Sequence, residues 1–153
     1  MGYAYSFLDV HAAITGPGGN FPLSGSRTGI AQEGITVTPT GDKNVMTEGA
    51  DGAVMHSLLA SKSGTVTVTL LRTSPVNRLL QEMYNYQSQS SASWGRNVIT
   101  IRDVARGDTI TCREVAFAKD SDKPFANEGG SFQWIFHAGQ IDTQLGSGTP
   151  EIA

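Results

Sequence analysis

The stretch GTVTVTLLRTSPVNRLLQEMYNY, residues 64–86, changes its period midway, and that change decides the fold. Val66, Val68 and Leu70 alternate with Thr65, Thr67 and Thr69, so a strand here has one apolar face and one hydroxylated face. At Ser74-Pro75 the pattern turns helical. A hydroxyl able to cap is followed by a residue whose fixed φ suits a first turn, and Val76, Leu79, Leu80 and Met83 follow at helical spacing. The stretch predicts a threonine-faced β wall and one helix, over about 74–88, packed at its edge or back.

Outward from this segment the chain reads as β. Residues 3–15 predict a long strand with Leu8, Val10, Ala12 and Ile14 on one face and Tyr5, Phe7, Asp9 and His11 on the other. Residues 16–29 are rich in Gly, Pro and Ser and are expected to form a loop. A strand over 33–39 follows, closed by TGDKN. Two short runs, 44–48 and 53–60, then flank Gly49-Ala50-Asp51-Gly52 and predict an extended hairpin. Beyond the helix, which fades into the polar QSQSSAS of 87–93, two strands meet at Arg106-Gly107-Asp108. Residues 118–130 form a charged connection, and 131–146 alternate Phe132, Trp134, Phe136 and Ala138 against Gln133, Ile135, His137 and Gly139. Seven to nine strands, one helix and no βαβ rhythm indicate a mainly β sandwich or barrel.

The 153 residues fit one domain, 1–153, since domains commonly run about 100–150 residues. Charged residues make up only 16% of the chain, against roughly 25% in an average soluble domain, which favours a turn-rich β protein. A net charge of -3 with scattered Arg residues argues against direct nucleic-acid binding. There is no apolar run of about 18 residues and no basic-plus-apolar amino terminus, so a soluble protein without a membrane role is expected. The lone cysteine, Cys112, sits in the strand pattern TITCREVAFA, which predicts a buried, inert thiol.

No chemistry-bearing constellation emerges, and no cofactor, metal or catalytic residue is predicted. His11, His56 and His137 are far apart without the local pair that metal sites usually show. No Gly-x-Ser-x-Gly elbow presents a nucleophile. Asp120 and Asp122 have calcium-loop spacing but lack the following Gly and distal Glu, so solvated loop charges are the simpler reading. Gly16-Pro17-Gly18-Gly19-Asn20 lacks the Lys-Ser/Thr and the helix of a phosphate cradle. Of the two tryptophans, Trp134 belongs to the core alternation, which leaves Trp94 as the candidate for a sugar-stacking platform. What remains is a surface problem, because long polar-faced strands with few charges leave sheet edges that must be covered, charged or closed. Closing them against copies of the same chain in a ring meets that need.

The opening YSFLDVHAAITGPGG, the segment EGITVTPTGDKNVMTEGADGAVMHSLLASKSGTVTVTLLRTSPVN and the late aromatic strand together resemble the tail tube proteins of contractile-tailed bacteriophages, over about 3–142. The resemblance implies a β-sandwich/barrel-like subunit with a flanking helix, six copies per ring, and rings stacked into a hollow tube that conducts DNA during ejection. It implies a non-enzymatic virion protein of the tail, assembled in the host cytoplasm. Its partners would be itself and the sheath, baseplate and tail terminator proteins. It also places the hairpin of 41–60 where related tubes reach toward the neighbouring ring. Val45, Met46, Val54 and Met55 are then the candidate inter-ring residues, because a monomer has little reason to expose them. Thr65, Thr67 and Thr69 are candidate lumen residues, with solvent or a neighbour as the competing environment. A lumen that lets DNA slide is expected to be neutral to negative. The alternatives are the tube ring protein of a contractile secretion system, a tail-like bacteriocin tube, and a carbohydrate-binding β-sandwich that depends on Trp94.

Overall fold

The computed structural model describes residues 9–23 and 30–146, with no side-chain description for 30–33. Nine strands and one helix follow in the order β1 (Val10–Gly16), β2 (Gly19–Pro22), β3 (Ile30–Pro39), β4 (Asn44–Glu48), β5 (Val54–Leu58), β6 (Gly64–Leu71), α1 (Val76–Gln87), β7 (Asn97–Asp103), β8 (Asp108–Phe117) and β9 (Ser131–Gln144). Seven of the strands form one antiparallel sheet in the order β2-β1-β7-β8-β9-β6-β3, while β4 and β5 pair only with each other.

The long sheet becomes a sandwich because it bends. In β8 one extra residue intervenes between the pairs Asn97↔Val115 and Ile99↔Cys112, a bulge in which Glu114 takes a φ of 54°. Across the ladder Gly139 faces that bend, where an added Cβ would press on Glu114. Either side of it, Thr109–Arg113 pair with Gln140–Gln144, and Val115–Phe117 with Phe136–Ala138. Ile14, Ile99 and Cys112 on one side and Val66, Val68, Leu70, Trp134 and Phe136 on the other are fully or almost fully buried, and they share one core.

The helix closes this core with Val76, Leu80, Met83 and Gln87, a buried stripe at helical spacing. Leu79, grouped with the apolar stripe in the sequence reading, faces outward and is partly exposed, because the stripe that fits the core runs 76, 80, 83, 87. The Ser74 hydroxyl accepts the Val76 amide at 3.3 Å, but the helix starts one residue later than the sequence suggests: Pro75 takes the N-cap position, where no side chain caps the helix. Two amides bind the helix to the sheet. Asn77 Oδ1 accepts the Trp134 indole N–H at 3.0 Å, and its Nδ2 donates to the Leu71 carbonyl at 2.8 Å. Gln87 and Asn97 exchange reciprocal amide bonds of 2.7 and 2.9 Å, and the Gln87 amide also reaches the Pro17 carbonyl. The amides of Asn77, Gln87 and Asn97 are thereby satisfied on both their nitrogen and their oxygen, so their desolvation is offset.

The expected loop over 16–29 is corrected here, since it contains an edge strand, β2. Pro17 followed by Gly18 at φ 90° suits a type II turn, and it closes a hairpin that pairs Gly16 with Gly19 and Ile14 with Phe21. Residues 24–29 lie outside the described residues, as do 3–8 of the expected first strand. The third strand begins at Ile30, earlier than the expected 33. The connection over 118–130 contains no helix or strand.

Candidate functional site

The β4–β5 arm is the most exposed apolar element of the described chain. Its loop is fixed locally: the Gly49 amide donates to the Ala53 carbonyl at 2.7 Å, Asp51 Oδ1 accepts the Ala53 amide at 3.0 Å, and Gly52 takes a φ of 87°. Five residues per strand give a reach of about 17 Å at roughly 3.3 Å per residue. The ladder pairs Val45↔Ser57, Met46↔His56, Thr47↔Met55 and Glu48↔Val54. Opposed residues share a face, so Met46, Val54, His56 and Leu58 lie on one face, and Val45, Thr47, Met55 and Ser57 on the other. The four residues singled out in the sequence therefore divide two and two. Met46 is 55% and Met55 59% exposed, so neither face is covered by the described residues. Leu58, at 88% exposure, was missed because it follows His56-Ser57 in a polar context.

The threonine wall also lies where alternation put it. Val66, Val68 and Leu70 are buried in the core, and Thr65, Thr67 and Thr69 occupy the opposite face. Thr65 stands in a row with Thr38 and His137, and Thr67 with Thr36 and Ile135. Thr65 and Thr67 are half-buried. Thr69 is buried, next to the register shift of β3 between Ile30 and Ile35. Among the described residues, the non-core face of β3, β6 and the first half of β9 carries Thr, Gln133, Ile135 and His137, with no Lys or Arg.

The remaining candidates are dispersed over the fold. His11, His56 and His137 sit on β1, β5 and β9, and no three His, Cys, Asp or Glu side chains gather as a metal cluster among the described residues. Asp120 and Asp122 pair with Lys123 and Lys119 at 2.7 and 3.1 Å. Trp94, 37% exposed, packs edge-on against Tyr84 at 6.0 Å and beside Phe117, which makes it the rim of the aromatic core. Phe125 is far more open, at 84%, lying over the Arg72 guanidinium at 4.5 Å. No described helix is long and apolar enough to cross a membrane.

Cys112 is fully buried, and burial, with a smaller contribution from the Asp142 carboxylate, pushes its thiol up to about 11. The thiolate is the nucleophile, so a disulfide reagent at pH 8 is expected to label native protein far more slowly than protein unfolded in urea; fast, stoichiometric labelling of the native state would contradict this burial. Because the folded thiol ionises later than the unfolded one, the associated stability is complete below about pH 9 and falls as pH rises towards 11.

Among the described residues, the bent β-sandwich thus carries an exposed arm that is apolar on both faces and pairs only with itself, and a hydroxyl face without Lys or Arg. The chain belongs to the Bacteriophage PhiTE tail tube protein family, whose model matches residues 3–146. No curated protein matches the sequence. Among solved structures, a chain of the PVC sheath-tube complex of an extracellular contractile injection system, in its extended state, is 12% identical with a TM-score of 0.59, covering 94% of this chain and 93% of that one. A chain of the PVC sheath/tube terminator is 13% identical with a TM-score of 0.58, covering 94% and 98%. A chain of the anti-feeding prophage baseplate, 6-fold symmetrised, is 12% identical with a TM-score of 0.52, covering 94% and 97%. At these identities the likeness is one of fold. The family is one of phage tail tube proteins.

Proposed function

We propose that six copies form a ring, that rings stack through the β4–β5 arm into a hollow tube, and that β3, β6 and β9 turn their threonine face to the lumen through which DNA passes. The observation that carries the reading is the arm: apolar on both faces, paired only with itself and uncovered. A second copy removes that surface from water, and at roughly 25 cal/mol per Å² the gain favours assembly over a solvated arm. The 6-fold symmetry belongs to the baseplate relative and supports six by analogy of fold. Sheath, baseplate and terminator partners follow from the same analogy, with a place in the virion tail after assembly in the host cytoplasm and with no catalytic role.

The hydroxyl face suits a conduit because it lacks fixed cations, which would hold the phosphates of passing DNA by releasing its counterions. Tubes built from Thr65→Lys, Thr67→Lys subunits are expected to retain double-stranded DNA in a salt-sensitive manner, measured by co-sedimentation at 50 and 300 mM salt, while unmodified tubes let it go. Equal retention by both would move the lumen to another face. A tube that delivers protein cargo in an injection system is the second reading, favoured by the fold of the solved relatives. It predicts the same rings and differs in what the lumen carries.

A further inference from the structure

Where β3 comes opposite β1, β7 and β8, the sandwich is open. Val10, Ile35, Ile101, Ile110 and Leu145 wall a cavity of about 170 Å³, with Asp103 and Asp108 among its lining. Leu145 is 70% exposed, so the described residues leave this rim uncovered. Apolar cavities of about 150 Å³ take up a benzene-sized group, so this one has room for a single Leu or Met side chain.

We propose that this cavity is a socket for the Met46 side chain of the arm of a second copy, with His56 and Leu58 of the same face set against its rim; the inference rests on the tube reading above and names the surface that receives the arm. Size alone would admit either face, and the polar groups choose between them. Asn44 Nδ2 lies 3.1 Å from His56 Nδ1. With the amide nitrogen as donor, Nδ1 accepts and the imidazole proton is held on Nε2, leaving a donor between two apolar side chains. The cavity offers the matching acceptor. Asp103 is engaged within its own turn by the amides of Ala105 and Arg106 and by the Arg106 guanidinium. Asp108 uses Oδ1 for the Gly146 amide at 2.9 Å, while Oδ2 has no partner among the described residues. The opposite arm face carries only the hydroxyls of Thr47 and Ser57. Glu48, at the far end of the Met46 face, is repelled by the two aspartates, so the half of the arm nearer its base enters the socket.

Knob and socket are different patches of one molecule, so each contact leaves one of each unfilled, which is the condition for open stacking. The test mixes two populations, Met46→Cys and Leu145→Cys, under assembly conditions followed by mild oxidation, with Met55→Cys plus Leu145→Cys as the opposite-face control. The native Cys112 is buried and does not compete. The mixed Met46→Cys and Leu145→Cys sample should yield at least tenfold more heterodimer than the control. Tubes that form normally but cross-link equally, preferentially through Met55, or at neither pair overturn this contact and leave the tube reading standing. Absence of any tube or ring from unmodified protein overturns both. Asp108→Asn, which keeps the side-chain shape, should reduce the cross-linking yield severalfold, whereas an unchanged yield rejects the His56–Asp108 pairing.

Discussion

Replacing Trp134 by Ala is expected to lower the unfolding free energy by about 3–5 kcal/mol, a large share of the roughly 5–15 kcal/mol available to a domain. Three effects act together at this position. The indole is 1% exposed and its ring lies 6.0 Å from Phe117, which in turn stacks 4.9 Å from Phe136, so truncation opens a cavity at the aromatic centre. It removes the donor that satisfies Asn77 Oδ1 and leaves that oxygen orphaned in the interior. It also releases the start of the helix, because Asn77 is the residue that ties α1 to the β6 end through the Leu71 carbonyl. Trp134→Phe separates the terms, since it keeps most of the ring and loses only the donor, and a cost of about 1–3 kcal/mol is expected. Urea denaturation of the monomeric subunit measures both. A loss below about 1 kcal/mol for Trp134→Ala would show that the centre of the sandwich packs differently.

Met46→Asp combined with Met55→Asp is expected to leave folded subunits that no longer form tubes. Both side chains are exposed and on opposite faces of the arm, so the pair puts a carboxylate on each face without disturbing the core, and the stability change should stay within about 0.5 kcal/mol. In an assembled tube each carboxylate would lose water without gaining a partner, at a cost of about 3 kcal/mol per contact. That corresponds to more than a hundredfold in association constant. The two single variants add information that the double cannot. If the Met46 face enters a neighbour and the Met55 face lies on the surface, Met46→Asp alone abolishes assembly and Met55→Asp alone weakens it. Sedimentation reads the assembly state and near-ultraviolet circular dichroism the fold, and unchanged tube length in the double variant would reject the arm as the inter-ring contact.

The sequence was most legible where neighbours in the chain are also neighbours in space. The period change at 64–86 gives β6 and α1, and the Gly49-Ala50-Asp51-Gly52 signal gives the arm, because turns and amphipathic stripes are local properties. Residues 16–29 misled for an instructive reason. Gly and Pro there do mark a turn, but a two-residue one, and Pro22 is tolerated because β2 is an edge strand. The bend at Glu114 left no trace, since a non-glycine residue at positive φ is imposed by the pairing of β7, β8 and β9. Gln87 reads as the first residue of a polar tail and is fully buried, because its partner Asn97 is ten positions away and its acceptor Pro17 seventy. The same distance hides the socket, whose walls come from five strands or their ends. The threonine face was visible as a face, whereas alternation carries no information on what that face meets.

Negative-stain electron microscopy of the purified protein across a concentration series, with light-scattering mass on the same samples, tests the central claim most directly. Rings of six subunits or hollow tubes are expected, with mass growing as concentration rises and preformed tube ends accelerating the growth. Monomers that persist at every concentration, with or without tube ends added, would contradict it.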